Sequence, residues 1–214
     1  MTSQNPAQKI EQEIDCKVII VYWKMRNGKT LLAWCMWYND FYPRIYSNFH
    51  IYHNGKSVVN FLETFQQIDR IRFSYTHGVI IIDEWGINVN SKDGFSETSR
   101  MMHKVLFLAG KKNCSVIFIA QRYNSVDVNF RELADLILEC RKIPRKNTYP
   151  TFSVTRKKQQ GNQLKYIESY EFDAIGFMKQ MGLTYDTLET STLASEKNDE
   201  KAKGKNEIVT NRYD

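Results

Sequence analysis

At 214 residues and 25.2 kDa the chain has room for one α/β domain and a tail. With 42% hydrophobic and 13% aromatic residues it can bury a sizeable core, and no apolar run approaches the roughly 18–20 residues of a membrane helix. The net charge of +6 is uneven: Arg141 to Lys165 holds eight basic residues and no acidic one, whereas Glu196 to Asp214 holds five of each sign.

In chain order, residues 1–15 are polar and read as a loose arm, neither a signal nor a transit peptide. Val18-Ile19-Ile20-Val21-Tyr22 predicts a strand over 17–22, and a helix follows over 29–40. Arg44 to Tyr52 alternates as a strand does, with Asn54-Gly55 as a turn. Ser57 can cap a helix whose apolar positions Val58, Phe61, Leu62, Phe65 and Ile68 fit a 3.6-residue period. Gly78 to Asp83 holds four β-branched residues in a row, Val79 to Ile82, the pattern of a strand buried on both faces in a parallel sheet. A polar loop over Gly86 to Gly94 precedes a helix over Ser96 to Lys112, with Met101, Met102, Val105, Leu106 and Leu108 inward. Cys114 to Ala120 is a second buried strand; a helical turn over Phe130 to Leu133 leads to a strand over Ala134 to Arg141. Tyr149 to Arg156 and Leu164 to Phe172 form a hairpin around Gln159-Gln160-Gly161-Asn162. Beyond about residue 190 the chain is Lys/Glu/Asn-rich without apolar periodicity and reads as disordered. Cys16, Cys35, Cys114 and Cys140 lie far apart without metal-ligand spacing, as core thiols of a reducing compartment do.

The chemistry concentrates at three places. Trp23-Lys24-Met25-Arg26-Asn27-Gly28-Lys29-Thr30 lies between the first strand and the first helix, the layout of a phosphate cradle ending in Gly-Lys-Thr. There main-chain N–H groups surround phosphates, the Lys neutralises them and the Thr hydroxyl ligates Mg²⁺. The pattern asks for Gly at position 23, where this chain has Trp. Asp83-Glu84 closes the apolar run at 78–82, at the strand end where parallel sheets bind ligands. Asp83 would hold Mg²⁺ through water and Glu84 would orient or deprotonate the attacking water. Gln121 ends the next strand, expected beside the Asp83 strand, where it can reach both a γ-phosphate and that water.

Tyr-x-Lys-x-x-x-Gly-Lys-Thr at 22–30, Ile-Ile-Asp-Glu at 81–84, and Ile-Ala-Gln-Arg at 119–122 with Leu-Ala-Asp at 133–135 resemble the FtsK/HerA superfamily of P-loop ATPases. The resemblance spans about residues 17–141. It is nearest to the genome-packaging ATPases of membrane-containing viruses, with Zot-like ATPases of filamentous phages as near relatives. It implies an α/β fold with a mainly parallel central sheet flanked by helices, RecA/ASCE-like, plus a C-terminal β-hairpin. The ATPase domain would cover 16–188, between the arm 1–15 and a polar tail 189–214. Lys24, Met25, Arg26, Asn27, Gly28, Lys29, Thr30 and Leu31 would wrap ATP, Thr30 and Asp83 would hold Mg²⁺, and Lys29, Glu84 and Gln121 would be catalytic. Trp23 and Arg26 replace usual glycines, and Asn27 a common serine. A Trp Cβ disfavours the positive φ that Gly permits, so a distorted loop is expected, with Lys24 or Arg26 compensating on phosphate.

The resemblance further implies a homo-oligomeric ring, a hexamer or pentamer, that moves double-stranded DNA without sequence preference. A neighbour's Arg would complete each site; Arg100, Arg122 and Arg131 are candidates, with Arg131 preferred. The basic hairpin residues Arg156, Lys157 and Lys158, beside Tyr149, Phe152 and Tyr166, suit salt-sensitive phosphate contacts. The loop Asn88 to Gly94 is the rival channel element. The expected role is genome packaging, docked on a capsid or membrane vertex protein, in the host cytoplasm or the virion. The alternatives are a Zot-type phage assembly or export ATPase, against which the lack of a membrane segment counts, and a nucleotide-binding scaffold with weak or no hydrolysis.

Overall fold

The computed structural model describes residues 18–24, 28–35, 44–63, 65–71, 78–83, 106, 114–143, 151–161 and 163–184. The element order is β1 (Val18–Tyr22), α1 (Lys29–Cys35), β2 (Ile45–Ser47), β3 (Tyr52–His53), β4 (Lys56–Ser57), β5 (Asn60–Phe61), α2 (Phe65–Arg70), β6 (Gly78–Ile82) and β7 (Cys114–Ala120). A 3₁₀ turn at Tyr123–Ser125 leads to α3 (Val128–Leu133), β8 (Leu136–Ile143), β9 (Thr151–Gln160), β10 (Gln163–Phe172), α4 (Ala174–Gln180) and β11 (Leu183–Thr184).

Eight strands form one sheet in the order β10-β9-β8-β1-β7-β6-β2-β5. The six from β8 to β5 run parallel, and β9 and β10 add an antiparallel flank. Every residue of β1, β6 and β7 is buried, which is why these strands are apolar runs rather than alternating ones. One face carries Ile19, Val21, Ile117, Ile119 and Leu138 against Leu32 and Trp34 of α1 and Met178 of α4. The other carries Val18, Ile20, Val116, Phe118 and Ile137 against Ile68, Leu106 and Phe130. Each such buried aliphatic side chain contributes about 1.5–3 kcal/mol.

Parallel pairing brings the carboxyl ends of β1, β7, β6 and β2 to one edge, with β7 inserted between β1 and β6. That adjacency of β7 and β6 is the one expected for Gln121 and Asp83. The second predicted strand is shorter than expected: β2 stops at Ser47, and β3 resumes at Tyr52 in a separate three-stranded sheet, β11-β3-β4. The helix predicted from Ser57 begins only at Phe65, because Asn60–Phe61 pairs with β2 as an edge strand and the Leu62 N–H donates to the Ser47 carbonyl at 2.8 Å. The hairpin strands are longer than predicted, so Gln159 and Gln160 belong to β9 and the turn starts at Gly161, φ +57°. Helix α4 and strand β11 had no counterpart in the sequence reading; the Asp173 carboxylate starts α4 by accepting from the Gly176 N–H at 2.8 Å. The arm 1–15, the tail 189–214, both domain boundaries, the loop 86–94 and all of the helix predicted over 96–112 except buried Leu106 lie outside the described residues.

Candidate functional site

β1 hands the chain to the Gly-Lys-Thr element at the carboxyl edge of the sheet. Gly28 takes φ +72°, a conformation that disfavours any side chain, and its carbonyl accepts the Leu32 N–H at 2.8 Å to start α1. The Lys29 side chain is buried at 8% exposure, and its ammonium donates to the Lys24 carbonyl at 3.0 Å. The Thr30 hydroxyl donates to Asp83 Oδ2. Thr30 and Asp83 thus meet, while Lys29, the residue before Thr30, turns to Lys24, and Leu31 follows in α1. Met25, Arg26, Asn27 and Glu84 lie outside the described residues. A hydroxyl and a carboxylate that converge are hard-oxygen donors of the kind Mg²⁺ takes, and the preceding residue, Lys29, is a buried cation suited to phosphate. These residues fit a Mg²⁺–nucleotide.

Asp83 is held by a residue absent from the sequence reading. Asn48, 1% exposed, donates from Nδ2 to the Asp83 carbonyl at 3.1 Å and accepts the Asp83 N–H on Oδ1 at 2.8 Å. Gln121 stands half-exposed at the end of β7, between the β1 and β6 ends.

At Trp23 itself the backbone extends β1; the loop residues 25–27, where the distortion was expected, lie outside the described residues. Its N–H continues the β1–β7 ladder to the Ala120 carbonyl at 3.3 Å. Among the described non-glycine residues Asn54 alone has positive φ, so the backbone at 23 needs no glycine; the left-handed position is Gly28. The indole packs on the face opposite α1, and the Arg141 guanidinium lies 4.2 Å from its ring centroid.

Behind Trp23 sits a second polar centre. Glu139 of β8, 2% exposed, accepts the Tyr22 hydroxyl at 2.7 Å and ion-pairs with Lys157 of β9 and Arg141. Lys157 also donates to the Tyr22 oxygen at 3.1 Å. Burial would raise the Glu139 carboxyl, but the hydrogen bonds from Lys157, Tyr22 and Arg141 hold it below its ordinary value. Burial and the Glu139 carboxylate push the Tyr22 phenol well up. On the α1 face, burial raises the Cys140 thiol to about 12 although the Lys29 ammonium works against it. A carboxylate within an apolar strand, just before basic residues, was the available signal for Glu139.

The hairpin cations are not equivalent. Arg156, 13% exposed, pairs with Glu168 at 2.5 Å, and Lys157 is committed to Glu139. Lys158 is exposed and lies directly opposite exposed Lys165. Arg131 sits on α3 with its guanidinium 5.3 Å from the Tyr123 ring centroid of the same chain, Arg122 is exposed, and Arg100 lies outside the described residues. Asp135 clamps the opposite end of the sheet, its carboxylate accepting the Val18 N–H at 2.9 Å. Among the described residues no helix is long and apolar enough to cross a membrane.

A family model described as zonular occludens toxin (Zot) matches residues 42–177. No curated protein matches the chain. Among solved structures, the N-terminal domain of zonular occludens toxin from Neisseria meningitidis is 14% identical over 81% of this chain and 95% of that one, at a TM-score of 0.46. The RadB recombinase is 15% identical over 79% and 90%, at 0.53. The genome packaging NTPase B204 from Sulfolobus turreted icosahedral virus 2, in complex with ATP-gammaS, is 12% identical over 71% and 96%, at 0.46. The likeness to RadB shows the fold: a mainly parallel, RecA-like P-loop NTPase sheet.

Proposed function

The chain belongs to the zonular occludens toxin family, and from that premise we propose that it is an ATP-hydrolysing motor acting on double-stranded DNA. The observation that carries the reading is the meeting of Thr30 and Asp83 at the carboxyl edge of the sheet, directly after the buried Lys29. In the loaded site Lys29 exchanges the Lys24 carbonyl for the β/γ-phosphates of ATP, a charge-assisted contact stronger than the one it replaces. Thr30 and Asp83 would hold Mg²⁺, which when bound neutralises phosphate charge. Glu84 follows Asp83 directly and orients the attacking water; Gln121 senses the γ-phosphate from the end of β7. Arg131, lifted from Tyr123, would supply charge to the neighbouring subunit's site in a ring of five or six.

On the DNA side the geometry favours Lys158 with Lys165 as the phosphate contacts. Like charges directly opposite across a hairpin repel one another, and a polyanion relieves that repulsion. Arg156 and Lys157 instead brace the hairpin, so their part in DNA binding is indirect. Two settings follow for such a motor, in the host cytoplasm or the virion: packaging a genome against a capsid or membrane vertex protein, or Zot-type phage assembly and export. The family match favours the second.

Triplex displacement from linear double-stranded DNA tests the motor. ATP-dependent displacement that disappears in Lys29→Ala supports it. ATP turnover without displacement leaves an ATPase that does not translocate.

A further inference from the structure

β2 leaves the sheet one residue too early to hold the Asp83 strand by main-chain pairing alone. The last register pair is Ser47 with Ile81, and the chain bends at Asn48 and Phe49. Asn48 replaces the missing ladder with its side chain, accepting the Asp83 N–H at 2.8 Å and donating to the Asp83 carbonyl at 3.1 Å. Its own backbone is fixed on both sides: the Ser47 hydroxyl donates to the Phe49 carbonyl at 2.5 Å, and the Ser47 carbonyl accepts the Leu62 N–H at 2.8 Å. Ser47, Asn48 and Phe49 are all buried, so water does not compete for these groups.

The partners determine which way the amide faces, because an N–H can only donate and a carbonyl only accept. A primary amide at this reach satisfies both. Aspartate offers acceptors alone, alanine offers neither, and glutamine adds a methylene in a filled space. With both peptide groups of Asp83 held, its Cα is fixed where the carboxylate reaches Thr30 Oγ1.

We propose that Asn48 is a positioning residue for the Mg²⁺-holding carboxylate, acting through the peptide groups of Asp83. The inference rests on the Thr30–Asp83 pair being a Mg²⁺–nucleotide site. A carboxylate turned away from Thr30 weakens the ion's site without removing the phosphate cradle, so the two losses separate.

The test uses the full chain and three measurements: ATP turnover as Mg²⁺ is titrated, binding of a fluorescent N-methylanthraniloyl-ATP in EDTA, and thermal unfolding. In Asn48→Ala and Asn48→Asp we expect the half-saturating Mg²⁺ concentration to rise, or turnover at fixed Mg²⁺ to fall, by about 10–100-fold, as for other residues that orient a metal ligand. Binding in EDTA is expected to stay within about twofold, because the Lys29 contact with phosphate is untouched. If Asn48→Ala is too unstable to assay, Asn48→Asp keeps the volume and carries the test. An unchanged Mg²⁺ dependence, or equal losses of EDTA binding and Mg²⁺-dependent turnover, overturns the positioning role. A wild-type chain that neither binds nor hydrolyses Mg²⁺–ATP overturns the site reading itself, and the inference with it.

Discussion

Replacing Glu139 by alanine removes the acceptor on which side chains from three strands, β1, β8 and β9, converge. Tyr22 loses a hydrogen bond of 2.7 Å, which contributes about 1 kcal/mol. Lys157 loses its carboxylate at 21% exposure but keeps the Tyr22 oxygen at 3.1 Å, so its cost lies below the roughly 3–5 kcal/mol of a fully buried broken pair. Arg141 is 55% exposed and retains its contact with Trp23, so its pair adds about 0–1 kcal/mol. Together these give about 3 kcal/mol, equivalent to a Tm drop of about 6–12 °C in a chain of this size. The charge also carries a pH signature. The unfolded chain protonates Glu139 at a higher pH than the folded chain does, so this stabilisation is complete above the ordinary carboxylate value of 4.5 and fades as pH falls through the lower folded value. Differential scanning calorimetry of wild type, Glu139→Ala and Glu139→Gln from pH 7 downward reads both effects. Glu139→Gln should flatten the acid limb. A Tm change under about 2 °C for Glu139→Ala, or an acid limb unchanged in Glu139→Gln, refutes the reasoning.

Gly28→Ala forces a Cβ into a φ of +72° and should destabilise by about 1–2 kcal/mol in urea titrations. Lys158→Ala/Lys165→Ala should lower the slope of log binding constant against log salt for double-stranded DNA by about 1.8, whereas Arg156→Ala should chiefly lower the urea midpoint. Cys140, its thiol raised to about 12 by burial, should resist iodoacetamide at pH 8 in the native chain. Because the unfolded thiol ionises near 9.0 while the folded one stays protonated, stability should also fall as pH rises from 9 toward 12, and fall less in Cys140→Ala.

What could be read before the structure follows from whether a signal is local. β1, β6 and β7 were legible because strands covered on both faces become unbroken apolar runs. The meeting of Thr30 and Asp83 was legible because each closes a local pattern, Gly-Lys-Thr after one apolar strand and a carboxylate after another. The end of β2 was not, because the bend at Asn48 depends on an amide–peptide clamp 35 residues away. Val58, Phe61 and Leu62 fit a helical period, yet pairing of Asn60–Phe61 with β2 overrode it. Trp23 stands where the motif puts glycine, yet its N–H only extends the β1–β7 ladder, which the motif alone does not reveal. Glu139 joins Tyr22 from 117 residues away and Lys157 from 18, so a lone carboxylate in an apolar strand hinted at the site but not at its partners. Strand alternation sends Lys157 to the opposite face from Arg156 and Lys158, a distinction that a count of basic residues hides.

ATP turnover by the full chain, with and without double-stranded DNA, compared with Glu84→Gln, tests the hydrolytic site most directly. We expect Mg²⁺-dependent hydrolysis that DNA stimulates, and in Glu84→Gln a loss of about 100-fold or more with nucleotide binding retained. Turnover of the wild type no greater than that of Glu84→Gln, with or without DNA, would contradict a motor and leave a nucleotide-binding scaffold.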